Sequence, residues 1–132
     1  MIYKIDLNTV NGVEYTEISQ EVQKIVSLAG VQSGVCHIFV PHTTAAVTIN
    51  EHADPDVKDD MIKQLAKIVP LNSDYRHSEG NSAAHLKASL IGNNVMLFVE
   101  NGKLVLGTWQ GIFFCEFDGP RSSEVIIKVL SD

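Results

Sequence analysis

From Val95 to the C-terminus the chain reads as strands and nothing else. The runs Val95 to Glu100, Leu104 to Gly107, Trp109 to Phe117 and Glu124 to Leu130 are rich in β-branched and aromatic residues. Turn signals at Asn101-Gly102 and Asp118-Gly119-Pro120 separate them. Strands that follow one another across such short links form hairpins. A half without strict βα alternation therefore predicts an α+β fold built on a largely antiparallel sheet.

The first half supplies the helices. Residues 2 to 8 alternate apolar and polar and end at the Asn11-Gly12 turn. Ile18, Val22, Ile25, Val26 and Ala29 then fall at the helical period, with Thr16 as expected N-cap and Gly30 as stop. Gly34 to Val40 and Thr44 to Asn50 read as strands joined by the turn-like Pro41-His42-Thr43, which places His42 at a strand end. A second helix opens at Asp54-Pro55-Asp56, a cap, a residue suited to the first helical position and a charge that complements the helix dipole. Val57, Met61, Ile62, Leu65, Ile68 and Val69 form its apolar stripe, and Pro70 ends it. Leu71 to Ser82 is polar and aperiodic, and a short helix from Ala83 to Ile91 carries His85. The expected order is β-α-β-β-α-(short α)-β-β-β-β in one domain, residues 1–132, with two main helices and one short one. A dinucleotide-binding reading fails, because no Gly-rich loop joins a strand to a helix.

A chain of 132 residues can bury roughly two-thirds of its unfolded surface, enough for one core. The net charge of -6, without a Lys/Arg run, opposes a phosphate backbone, so nucleic acid is not an expected partner. No apolar stretch approaches the roughly 18 residues that cross a bilayer, and Asp6 interrupts the position of a secretory apolar region. A cytoplasmic protein without membrane association is expected. Cys36 and Cys115 each lie inside an apolar strand-like run, which predicts buried or half-buried free thiols.

The chemistry-bearing residues concentrate at turns and in the polar stretch. His42, His77 and His85 fall at a turn, in the polar loop and on the short helix, with Glu51, Asp54, Asp60 and Glu79 near in sequence. Three imidazoles with an open fourth position form a catalytic zinc pattern that can activate water or hold a phosphate. Hydrogen-bonded surface or subunit-interface histidines are the alternative. His37 faces with Val35 and Phe39 on an alternating strand and reads as a packed or edge histidine. Gly107-Thr108-Trp109-Gln110 offers backbone N–H groups and a hydroxyl for an anion, an amide and the only tryptophan; a core Trp beside a turn is the other account. His42-Thr43-Thr44 is an anion contact or a capping turn. Arg121 is a candidate for a bidentate phosphate contact or for an ion pair with Asp118.

The segments Pro41-His42-Thr43-Thr44-Ala45, Asn50-Glu51 followed by Ala53-Asp54-Pro55-Asp56-Val57, His77 with Asn81 and Ala84-His85, and Gly102 followed by Leu106-Gly107-Thr108-Trp109-Gln110 resemble the YjbQ-like family of small proteins. The resemblance covers nearly the whole chain. It implies a sheet sandwich with helices, assembled as a homotrimer, with the polar residues in a cleft near the subunit boundaries. It also implies a secondary thiamine-phosphate synthase activity, joining a pyrimidine pyrophosphate to a thiazole phosphate. The positions it carries over are His42, Thr43, Glu51, Asp54, Asp60, His77, Asn81, His85, Gly107, Thr108, Trp109, Gln110 and Arg121. His52 departs from the pattern, which has a small polar amide there, and is discounted as a ligand.

The resulting expectation is a small enzyme acting on a phosphorylated small molecule. His42, His77 and His85 would hold a divalent metal, zinc or magnesium, and no organic cofactor is expected. Glu51, His42, Asp60 and Gln110 are the expected catalytic residues. Thr43, Thr44, Asn81, Thr108, Trp109 and Arg121 would contact phosphate or substrate. A metal-dependent hydrolase using a bound water, or a non-catalytic trimeric binding protein, are the competing readings.

Overall fold

The computed structural model describes residues 1–132. Eight strands and three helices follow one another as β1 (Tyr3–Asn8), β2 (Glu14–Glu17), α1 (Ser19–Ala29), β3 (Ser33–Phe39), β4 (Ala45–Glu51), α2 (Pro55–Ile68), α3 (Ser82–Ile91), β5 (Asn94–Glu100), β6 (Lys103–Leu104), β7 (Gln110–Glu116) and β8 (Ser122–Ser131). They form two sheets, β1-β8-β3-β5-β6 and β2-β7-β4, in which every pairing is antiparallel. The fold is the expected α+β class.

The sheets pack face to face. Cys36, Ile38, Leu97, Val99, Val125 and Ile127 of the larger sheet meet Ala45, Val47, Ile112 and Phe114 of the smaller, and Ile18, Val22 and Val26 bring α1 into the same core. A second core lies on the opposite face of the small sheet. There Tyr15, Ala46, Phe113, Cys115 and Phe117 pack on Ala84 and Ala88 of α3 and on Met61, Ile62 and Leu65 of α2. β7 thus touches a core on each face, which explains its unbroken apolar run. Cys36 and Cys115 are free and buried; burial pushes the Cys36 thiol up to about 11 and raises that of Cys115 further.

Local signals behave as their chemistry requires at several boundaries. The Asp54 carboxylate accepts from the Asp56 N–H at 2.9 Å, Pro55 follows it, and α2 stops at Ile68 before Pro70. Gly30 closes α1 at φ 70°, a conformation that costs a residue without Cβ little. Asn101 and Gly102 both have positive φ and join β5 to β6 in a hairpin.

Four expectations need correction. Thr16 does not cap α1: it lies in β2, a four-residue strand too short to show an alternation, and the helix opens after Ile18 without a side-chain cap. The strand expected over Leu104 to Gly107 is only Lys103–Leu104. The C-terminal runs are not consecutive hairpins, because β7 crosses to the small sheet and β8 returns to the large one. Likewise Pro41-His42-Thr43 does not turn a hairpin but carries the chain from β3 in one sheet to β4 in the other.

At Gly34 the large sheet admits no side chain. A Cβ there would lie 1.8 Å from the Leu130 carbonyl oxygen, and only a backbone shift relieves that contact. Gly34→Ala is expected to lower the unfolding free energy by about 1–3 kcal/mol or more in urea titrations. Gly12→Ala, where the new carbon meets nothing nearer than 3.8 Å, is expected to stay within about 0.5 kcal/mol of wild type.

Candidate functional site

The crossing from β3 to β4 builds a cavity of about 450 Å³ lined by His42, Thr43, Ala45, His85, Ala88, Ser89, Gly92 and Asn93. β3 ends at Phe39, opposite Ile126 of β8, so the next inward amide of β8 has no strand residue to bond. His42 fills the gap, its Nε2 accepting the Glu124 N–H at 3.1 Å. A ring nitrogen that accepts carries no proton, so His42 is the neutral Nδ1–H tautomer, with Nδ1–H free to donate. α3 supplies the opposite wall because Ala83, Ala84 and Ala88 hold it against β4, which leaves His85 and Ser89 on the cavity. The His85 ring meets His77 edge to face with centroids 5.4 Å apart, and both rings line a second, more open hollow with Tyr75, Arg76 and Ser82. Three of the predicted residues, His42, Thr43 and His85, share one cavity, and His77 adjoins it.

As a metal centre this cluster fails within one chain. No group of three or more His, Cys, Asp or Glu side chains is placed to hold an ion, and the Nε2 of His42 is already engaged. His77 instead approaches Glu79 at 3.9 Å.

The residues expected to join the histidines lie elsewhere. β4 pairs with β7 from Ala45 opposite Glu116 to Glu51 opposite Gln110, and six residue steps of a strand put those ends about 20 Å apart. Glu51, Trp109 and Gln110 therefore line a separate hollow of about 300 Å³ with Ile49 and Asn50 at the far end of the small sheet. Trp109 is not a core residue: it is 62% exposed. Gln110 closes its turn, with Oε1 accepting from the Gly107 N–H at 2.8 Å, so that amide is not free for an anion. Thr108 is exposed on the turn and lines neither hollow.

Beside Glu51, His52 Nδ1 lies 3.0 Å from Glu17 Oε2. The pair meets across Gly111, where a Cβ would come within 2.6 Å of both residues. Asp60 is exposed on α2 and lines none of these cavities, and Thr44 is buried at the start of β4, behind the cavity wall rather than on it.

Asn81 and Arg121 have structural partners near the histidine cavity. Asn81 Nδ2 donates to Asp118 Oδ2 at 3.0 Å, while its Oδ1 is buried without a partner. Arg121 grips the fully buried Glu116 rather than Asp118, through Nε to Oε2 at 3.1 Å and Nη2 to Oε1 at 2.8 Å. Thr9 Oγ1 and the Asp118 N–H add donors to the same carboxylate.

Sequence reasoning missed Ser89, Asn93, Glu17 and Lys87. Lys87 is buried, its ammonium 5.7 Å from the centre of the Phe117 ring, and desolvation lowers its pKa. Its phase with Ala83, Ala84 and Ala88 on α3 was the available signal.

An α+β sandwich of two antiparallel sheets, with a histidine-lined cavity where the chain changes sheets, is the class that this geometry defines. The chain belongs to the family described as UPF0047 protein YjbQ-like, which it matches over residues 3–132. It is 47% identical over 131 residues to the UPF0047 protein YugU of Bacillus subtilis, covering 98% of this chain and 99% of that one. A UPF0047 protein of Methanocaldococcus jannaschii is 46% identical, covering 100% of this chain and 96% of the relative. Among solved structures, an uncharacterised YjbQ/UPF0047 protein of Clostridium acetobutylicum superposes with TM-score 0.96 at 50% identity, covering 97% and 99% of the two chains. A Sulfolobus solfataricus protein described as of unknown function gives TM-score 0.96 at 33% identity, covering 100% and 97%.

Two measurements check this account. Long-range proton–nitrogen correlation spectra of neutral His42 should show the proton on Nδ1; a proton on Nε2 would contradict the bond to Glu124. Glu116→Ala leaves Arg121 facing a buried gap and is expected to cost about 3–5 kcal/mol in chemical denaturation.

Proposed function

We propose that the chain is a small enzyme acting on a phosphorylated small molecule whose phosphate enters the cavity of His42 and His85. One observation carries this reading: the cavity is lined by hydroxyl, amide and imidazole groups and by no carboxylate. Donors without an acid suit an anion, and at about 450 Å³ the space fits a small ligand. Thr43, Ser89, Asn93 and the Nδ1–H of His42 would donate to phosphate oxygens, and His85 would transfer a proton.

The reaction proposed is the one that the family resemblance implies. In the coupling of a pyrimidine pyrophosphate to a thiazole phosphate, the thiazole nitrogen attacks the methylene carbon. The C–N bond forms as the C–O bond breaks, and the electron pair leaves on pyrophosphate. Charge develops on the departing oxygen, which is where fixed donors lower the barrier. A metal at the histidines, zinc or magnesium, would need ligands from beyond this chain's own cluster, so the donor-only reading comes first.

The assembly proposed with this activity is the homotrimer implied by the resemblance. It is supported by an uncovered outer face on the large sheet, where Phe39, Met96, Phe98 and Leu130 are exposed. No helix is long and apolar enough to cross a membrane, and the two free thiols fit a cytoplasmic setting.

Incubation with the two thiamine precursors, read as pyrophosphate release, should give product with wild type and about 10²–10⁴-fold less with His85→Ala. Absence of product, together with no change in the His42, Thr43 and His85 resonances on adding pyrophosphate, would overturn the proposal.

A further inference from the structure

At the far end of the small sheet the turn before β7 holds an aromatic side chain in water on a fixed backbone. The Gly107 N–H donates to Gln110 Oε1 at 2.8 Å, the Gln110 N–H donates to the Gly107 carbonyl at 3.1 Å, and the Trp109 carbonyl accepts from the His52 N–H at 2.9 Å. Trp109 itself is 62% exposed. A single exposed aromatic residue is ordinary on a protein surface. This one, however, is a wall of a hollow of about 300 Å³ that it shares with Ile49, Asn50, Glu51 and Gln110.

The polar atoms left over in that hollow define what fits. Glu51 Oε2 accepts the Ala53 N–H at 3.1 Å, Oε1 bonds to nothing, and no lysine, arginine or histidine pairs with the carboxylate. Asn50 Oδ1 accepts the Glu51 N–H at 2.8 Å and Gln110 Oε1 is taken by Gly107, so each side-chain amide has only N–H donors to offer. An unneutralised carboxylate beside an indole attracts a cation, because the ring quadrupole and the charge act in the same direction. The adjoining hollow sets Glu17 and Asp54 against Lys58 and His52, and the chain as a whole carries a net charge of -6, so the wider field also favours positive charge. A phosphate is refused on the same ground. A hard divalent ion is refused as well, because it asks for several oxygen ligands and no three His, Cys, Asp or Glu side chains converge.

We propose that this hollow is a second binding site, about 20 Å from the histidine cavity, for a small organic ammonium ion that also carries an oxygen atom. The ammonium group sits against the Trp109 indole within reach of Glu51 Oε1, and the oxygen accepts from the free amide N–H groups of Asn50 and Gln110. The two ends of the small sheet thus sort ligands by charge, and this site does not depend on what the histidine cavity holds.

The only tryptophan of the chain is the reporter for the test. Choline and its uncharged carbon analogue, in which a tert-butyl group replaces trimethylammonium, share shape and hydroxyl and differ in charge. Titration of the wild-type chain with choline chloride at constant ionic strength should change Trp109 emission saturably, half-complete on the order of 1–10 mM, whereas the uncharged analogue should need about tenfold more. Glu51→Gln should weaken choline by about tenfold and leave the analogue unchanged. The side-chain amide resonances of Asn50 and Gln110 should move along the same choline titration, a readout independent of the indole. Equal affinity for the two compounds, choline binding indifferent to Glu51→Gln, or no saturable change in emission and amide resonances would each overturn the proposal. The comparison of the two compounds on wild type needs no variant, so a substitution that does not fold leaves the test intact. Pyrophosphate shifts of the His42 and His85 resonances report the other site, so either proposal can fail alone.

Discussion

Ile112 and Phe114 point into one core while Phe113, Cys115 and Phe117 point into another, so β7 has water on neither face. A strand in that position needs a layer on each side. The larger sheet with α1 supplies one layer and the pair α2 and α3 supplies the other. Removing either would expose aromatic surface at roughly 25 cal/mol per Å² of apolar area. The rest of the architecture follows from this need. β2 and β4 flank β7 to satisfy its backbone groups, and the chain crosses between sheets at residues 40–44 because β3 and β4 belong to different layers. The cavity proposed as the site is a by-product of that crossing. It lies where β3 has stopped, β4 has begun, and a histidine rather than a strand satisfies the amide of Glu124.

The most deeply buried charge in this scaffold sits where β7 ends. Glu116 is fully buried, and its carboxylate collects donors from Thr9, Asp118 and Arg121, which come from segments 107, 2 and 5 residues away. An ionised carboxylate is tolerable there only because those donors replace the water it lost. The same cluster joins the small sheet to the start of β8 and to the residue that follows β1, so it fixes how the two sheets meet beneath the histidine cavity.

Much of this was legible from local chemistry, and the failures have a common cause. Asp54-Pro55 marked the start of α2, Asn101-Gly102 marked a hairpin, and β7 declared itself by its unbroken apolar run. Each of these signals is a contact between residues close in sequence or a local periodicity. Which sheet a strand joins is decided by partners far along the chain, so the crossing at Pro41-His42-Thr43 looked like a hairpin turn. The same limit merged the site into one cluster: Glu51 follows His42 by only nine positions, yet an extended strand converts that spacing into a separation across the whole sheet. For Trp109 the sequence left open a core residue or a substrate contact, and its exposure rules out the first because the turn that Gln110 closes holds it at the surface. Lys87 escaped notice because a lysine within an alanine-rich helix is ordinarily solvated.

The far end of the small sheet is fastened differently from the near one. Glu17 leaves β2 and His52 follows β4, the two outer strands, and they meet over Gly111 of the middle strand, where any side chain would stand between them. The clasp therefore spans the full width of the sheet through a position that contributes only backbone. The acidic end is thus closed across all three strands at a position where any residue larger than glycine would push Glu17 and His52 apart.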